Sequence, residues 1–196
     1  MNIFLKIFQN KKSFSIIETV LSVFLITILS ISITVLLNLY KDYQTITPNS
    51  VAKSIIKKNH SDTLIALKQS ILQAQNIVNS TTINGINYVT DSRNLILQTR
   101  SIDNNNNIIS GNYDLIIFYT TSSNPIKLYQ KIIPSSFSNR KNYEILINNI
   151  VKEINFEYNT TNPKDASIIK IYLKTSNNFS NKELEEASYI AVKLNK

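Results

Sequence analysis

Residues 14–40, FSIIETVLSVFLITILSISITVLLNLY, carry a single ionisable group, Glu18, in 27 positions. At about 1.5 Å of rise per residue a helix of that length is roughly 40 Å long, more than the roughly 30 Å of a bilayer's hydrocarbon core. The run therefore predicts a membrane-spanning helix, and the residues after it must form a head carried on that stalk. Ser15, Thr19, Ser22, Thr27, Ser30, Ser32, Thr34 and Asn38 interrupt the aliphatic residues. Small hydroxyl side chains permit close helix contacts and local hydrogen bonds in lipid. A cleavable secretory signal has an apolar stretch of about 7 to 15 residues ending in an A-x-A-like site. This run is longer and has no such site.

Glu18 stands five residues into the run, where a carboxylate is expensive: about 2.5 to 3.5 kcal/mol at a bilayer centre on insertion scales. The cost falls near the interface, and a cationic partner supplied when helices assemble side by side would offset it. Lys6, Lys11 and Lys12 precede the span, whereas Lys41 and Asp42 come after it as an opposed pair. Positive charge before a first span keeps that end in the cytoplasm. The expected location is the cytoplasmic (inner) membrane, single-pass, with the N-terminus cytoplasmic and the C-terminal head extracytoplasmic.

The string Ser13-Phe14-Ser15-Ile16-Ile17-Glu18 resembles the class III signal of type IV pilins and type II secretion pseudopilins, in which a small residue precedes a Phe and a Glu occupies the fifth mature position. The resemblance implies that a prepilin peptidase cuts between Ser13 and Phe14 and that the new Phe14 amine is N-methylated. It further implies that Glu18 attracts the N-terminal amine of a neighbouring subunit and fixes the register of packed helices. The family usually has Gly before the cut, where this chain has Ser13. Its main filament subunits usually carry a helix proline about 22 residues into the mature chain, and residues 34–37 contain none, which points to a minor subunit. The partners implied are other pilin or pseudopilin subunits, the peptidase and an inner-membrane assembly platform, and the filament is a pilus, a secretion or a competence filament. The alternative is an uncleaved single-span protein whose extracytoplasmic head binds a ligand and never polymerises.

The 196 residues leave room for one anchor and one globular domain of roughly 120 to 150 residues. Cysteine is absent, so neither disulfides nor thiol chemistry can staple or equip the head. Gly85 and Gly111 are the only glycines, which excludes the glycine-rich phosphate and dinucleotide loops. Catalysis is not expected, nor is a cofactor. Glu183, Glu185 and Glu186 beside Lys182 read as a solvated face or turn rather than an acid/base pair. The net charge of +8 falls to +5, 18 basic against 13 acidic groups, once the three leader lysines are set aside. Basic residues are dispersed, with Lys57-Lys58 and Arg140-Lys141 the only adjacent pairs after the leader. Nucleic acid is therefore not an expected partner, and any such contact would fall at Arg140 and Lys141.

Taken in order, the expected parts are a leader (1–13), a transmembrane stalk helix (14–45), a linker with a second amphipathic helix (46–82) and an antiparallel β head (83–196). Pro48 would bend or end the stalk. Residues 61–79, capped by Ser61 or Asp62, place Leu64, Leu67, Ile71, Ala74 and Val78 on one apolar stripe. His60, the only histidine, falls in the polar lead-in and reads as a solvated loop residue. From Ile83 the period becomes two. Asn84-Gly85 is a turn before a strand at 86–89, with further strands at 94–100, 113–120 (central), 126–133, 145–158, 169–174 and 188–194. Asp103, Asn105 and Asn107 in the DNNNN run are the one calcium-loop candidate, against the simpler reading of a hairpin turn, since no glycine or distal glutamate of an EF-hand is present. The C-terminal succession, N-I-x-x-I-x-F-x-Y and then two alternating strands, is similar to the end of PilW-type and J-type minor pilins. The fold class expected is α+β: a long apolar helix, then a helix packed on an antiparallel sheet.

Overall fold

A computed structural model describes residues 16–179 and 182–195, with side-chain surroundings described for these except residues 16–19 and 44–49. The chain forms two compact units, Met1–Ser50 and Val51–Lys196. Helix α1, Ile16–Gln73, runs without a break. Its first part carries the apolar run. Its last part, residues 51–73, belongs to the head and is the helix expected to pack on the sheet.

That helical segment starts well before Ser61, so neither Ser61 nor Asp62 caps it. Pro48 lies inside the helix rather than at its end; a proline there removes one backbone donor but does not by itself forbid helix on either side. Downstream the helix stops at Gln73 instead of Asn79, because Ala74–Ile77 becomes strand β1 and pairs antiparallel with β4, Leu95–Ile102. As a strand the segment buries Ala74 and Ile77, where the helical stripe called for Ala74 and Val78, and ladder pairing decides between the two.

The remaining strands are β2 (Ser80–Ile83), β3 (Ile86–Val89), β5 (Ile108–Thr120), β6 (Ile126–Ile133), β7 (Tyr143–Tyr158), β8 (Ile168–Phe179) and β9 (Lys182–Lys193). Among the described residues, seven of the nine strands form one sheet in the order β1-β4-β5-β6-β7-β8-β9, each pair antiparallel. β2 and β3 make a separate hairpin. Asn84 and Gly85, at φ of 50° and 80°, supply the two left-handed residues that its tight turn requires.

β7 joins two parts of the sheet. Its first half pairs with β6, from Ile132↔Tyr143 to Ile126↔Val151, and its second half pairs with β8, from Val151↔Thr175 to Tyr158↔Ile169. Bulges around Leu128, Tyr129, Val151 and Glu153 accommodate the change of partner. The core lies between residues 51–73 and one sheet face: Leu67 and Ile71 meet Leu95, Leu97, Ile116, Phe118, Leu128, Ile154, Ile171 and Leu173. Ile96 and Ile117, cross-strand partners on the opposite face, are also fully buried. Tyr88 of β3 covers that side, its ring 5.5 Å from Tyr119 with Lys131 above it. A long apolar helix followed by a helix packed on an antiparallel sheet is a pilin-like architecture.

Candidate functional site

The first part of α1 is apolar and exposed along its described length. Val20–Tyr43, 24 residues of mean hydropathy 2.7, contains no buried residue among the described residues. Leu21, Phe24, Leu25, Leu29, Leu36 and Leu37 stand more than half exposed, an apolar surface of the kind that marks a membrane or protein interaction site. At about 1.5 Å per residue the segment is roughly 36 Å long, sufficient for one span. Near the N-terminus, an apolar helix of this kind fits a single membrane span or a signal sequence.

The hydroxyls of this segment are satisfied locally. Thr27 donates to the Val23 carbonyl at 2.7 Å, Ser30 to Ile26 at 2.8 Å, Ser32 to Ile28 at 2.9 Å and Thr34 to Ser30 at 2.9 Å. Each donates to the carbonyl four residues earlier, so these four hydroxyls are paired within the helix itself. Glu18 is within α1, but its side chain lies outside the described ones, and Ser13 and Phe14 lie outside the described residues altogether.

In the head, polar pairs pin the helix across the sheet. Ala52, Ile56, His60, Thr63, Leu67, Ser70 and Ile71 are all buried, at spacings of three and four. His60 Nδ1 meets Thr175 Oγ1 of β8 at 3.1 Å and its Nε2 meets Ser188 Oγ of β9 at 2.9 Å. Thr63 accepts from Asn148 Nδ2 of β7 at 2.8 Å, and Ser70 accepts from Gln130 Nε2 of β6 at 3.3 Å. Thr99 of β4 donates to the Gln73 carbonyl at 3.1 Å. His60 is thus no solvated loop residue: it is 3% exposed, in helix, and both ring nitrogens are engaged. Its surroundings look like a loop in the sequence because histidine and threonine interrupt the apolar stripe while keeping its spacing. Burial holds the His60 imidazole below the ordinary histidine range, and the Glu186 carboxylate acts in the opposite direction.

A second cluster forms around Asp114, which is fully buried. Oδ1 accepts from Ser101 Oγ at 2.7 Å and the Ser135 amide at 2.8 Å; Oδ2 accepts from Ser138 Oγ at 2.8 Å and Arg140 Nη1 at 2.6 Å. Burial by itself would raise this carboxyl, but the four donors together hold it below the ordinary aspartate range. Arg140 also donates to the Arg100 carbonyl at 2.6 Å. Its guanidinium is a clamp for residues 134–142, already committed inside the head.

Asp103 closes the β4–β5 hairpin. Its Oδ1 accepts from the Asn105 and Asn107 amides, both at 2.8 Å, and its Oδ2 accepts from Asn107 Nδ2 at 3.2 Å. Those bonds lower the Asp103 carboxyl from its ordinary value and realise the hairpin turn. Among the described residues no group of three or more His, Asp or Glu side chains is placed to hold a metal. Glu183 and Glu185 lie on β9, not in a turn; Lys152 bridges both, and Lys174 reaches Glu185 at 2.7 Å. Lys152 and Lys174 pull the Glu185 carboxyl down to about 2.

No family model matches the chain, and no curated protein matches it.

Proposed function

We propose that this chain is a structural, non-catalytic subunit, a minor pilin or pseudopilin, that enters a type IV pilus, type II secretion or competence filament through its N-terminal helix. The observation that carries the reading is the pilin-like order of parts: an apolar helix with no cover of its own, continuing as a helix that a β head packs on. The Ser13-Phe14…Glu18 string adds the chemistry. Cleavage would expose the Phe14 amine, methylation would keep it basic, and Glu18 would meet the amine of a neighbour. In a surrounding of low dielectric that attraction is strong enough to fix helix register. The stalk's exposed apolar surface and its internally paired hydroxyls suit transfer from lipid to a bundle of similar helices. The partners on this reading are other pilin or pseudopilin subunits, the prepilin peptidase and an inner-membrane assembly platform.

The test is Glu18→Ala in cells that assemble the filament. Loss of the subunit from sheared or pelleted filaments, with unchanged amounts in the membrane, is the expected outcome. Undiminished incorporation or undiminished function would replace the proposal with the uncleaved single-span anchor.

A further inference from the structure

We propose that His60 is a pH-sensitive clasp: protonation of its ring frees the outer part of the β8–β9 hairpin from helix α1 while β4 to β7 stay closed. The topology makes such a partial opening feasible. β8 and β9 reach the rest of the sheet only through the second half of β7, and no strand of the β6 side pairs with them. Beyond Thr175, β8 pairs with β9 alone, from Ser176↔Glu185 to Phe179↔Lys182. Among the described residues, the outer part of the hairpin is tied back at its base by the Val151↔Thr175 pair with β7, at the surface by Lys152 on Glu183 and Glu185, and in the interior by His60 on Thr175 and Ser188.

The geometry also sets which state resists the proton. Thr175 Oγ1 lies 3.5 Å from the Glu186 carbonyl and donates to it, so it is free to accept from Nδ1–H, while Ser188 donates to Nε2. When the ring is protonated, Ser188 can turn its hydroxyl and accept instead. Hydrogen bonding therefore does not forbid the imidazolium, and the opposition comes from its removal from water in a site 3% exposed. Of the elements packed against the ring, β8 contributes Thr175, β9 contributes Ser188 and Glu186, and Glu186 is the charged group that acts on it. Its attraction offsets part of the desolvation but not all. Opening the hairpin hydrates the ring and lets it take the proton at its ordinary value. As pH falls through about 6.5 the open form binds the proton first, so the closed form loses ground until the closed ring also titrates. Each unit of separation between the two forms changes their ratio about tenfold.

The experiment uses the full chain in detergent micelles. As the only histidine, His60 gives ring NMR signals that need no assignment. Its titration is followed alongside amide exchange, corrected for intrinsic rates, at about pH 7.5 and about pH 5. The expected result is a ring midpoint below 6.5 and a loss of protection in residues 175–179 and 182–188 on acidification, with β4 and β5 unchanged. His60→Gln, which retains hydrogen bonding without a titrating group, should show no such pH dependence. A ring that titrates at or above 6.5, an equal response in His60→Gln, or a loss spread evenly over the sheet in the wild-type chain would each overturn the clasp; the last criterion holds even if the variant does not fold.

Discussion

Replacing Asp114 with Asn probes how the cysteine-free head locks a long loop. The substitution keeps the volume but removes the charge, and the new amide nitrogen cannot accept from both Ser138 and Arg140, which now share Oδ2 at 2.8 Å and 2.6 Å. Breaking a buried ion pair from one side typically costs about 3 to 5 kcal/mol. Arg140 is 22% exposed and can recover some hydration, so a loss of about 3 kcal/mol is expected. For a head of this size that is a drop of roughly 6 to 12 °C in Tm. Guanidinium unfolding of the full chain in detergent, followed by the near-ultraviolet tyrosine signal, would measure it. The pH dependence supplies a second reading. Because the native Asp114 carboxyl lies below its unfolded value, its contribution is present above about pH 4 and is lost as pH falls through the native value. That part of the acid limb should vanish in Asp114→Asn. A variant within about 0.5 kcal/mol of wild type, with the same acid limb, would refute the clamp. The double variant Asp114→Asn with Arg140→Gln should lose less than the two single losses combined, since the charges are coupled.

Individual contacts set further outcomes. Leu67→Ala, at the centre of the helix–sheet contact with a fully buried side chain, should cost about 2 to 5 kcal/mol in the same unfolding assay. Gly85→Ala should cost about 1 to 2 kcal/mol through its φ of 80°, although nothing lies within 4 Å of the new Cβ, so the measured loss would be one of backbone conformation alone. Lys152→Ala should leave head stability unchanged within error, because its pairs with Glu183 and Glu185 are solvent-exposed; a clear drop in Tm would show that the hairpin tip depends on them.

The alternating strands are legible in the sequence because their apolar residues face one core: Leu95 and Leu97, Leu128 and Ile132, Ile154 and Phe156, and Ile169, Ile171 and Leu173 are all buried as the period of two requires. Asn84-Gly85 fixes its hairpin for a conformational reason that two residues suffice to carry. The helix boundaries are harder. The 3–4 spacing of Ala52, Ile56, His60, Thr63, Leu67 and Ser70 is present, but reading it requires treating polar residues as core, and their partners lie about 60 to 130 positions away in the sequence. No local pattern announces Thr175, Ser188 or Asn148 as such partners. Arg140 shows the same limit from the other side: adjacent to Lys141 it resembles a surface cation, and Asp114, 26 positions earlier, and the Arg100 carbonyl are what hold it to the head. The apolar helix needs no tertiary information, since its composition and length alone make it legible.

The most direct test of the filament-subunit reading is the N-terminal sequence and intact mass of the protein from membranes of cells with and without a prepilin peptidase. The result predicted is a chain that begins at N-methylated Phe14 only where the peptidase is present. A chain that keeps residues 1–13 in both cells would contradict it and leave Glu18 as a charge in a plain membrane anchor.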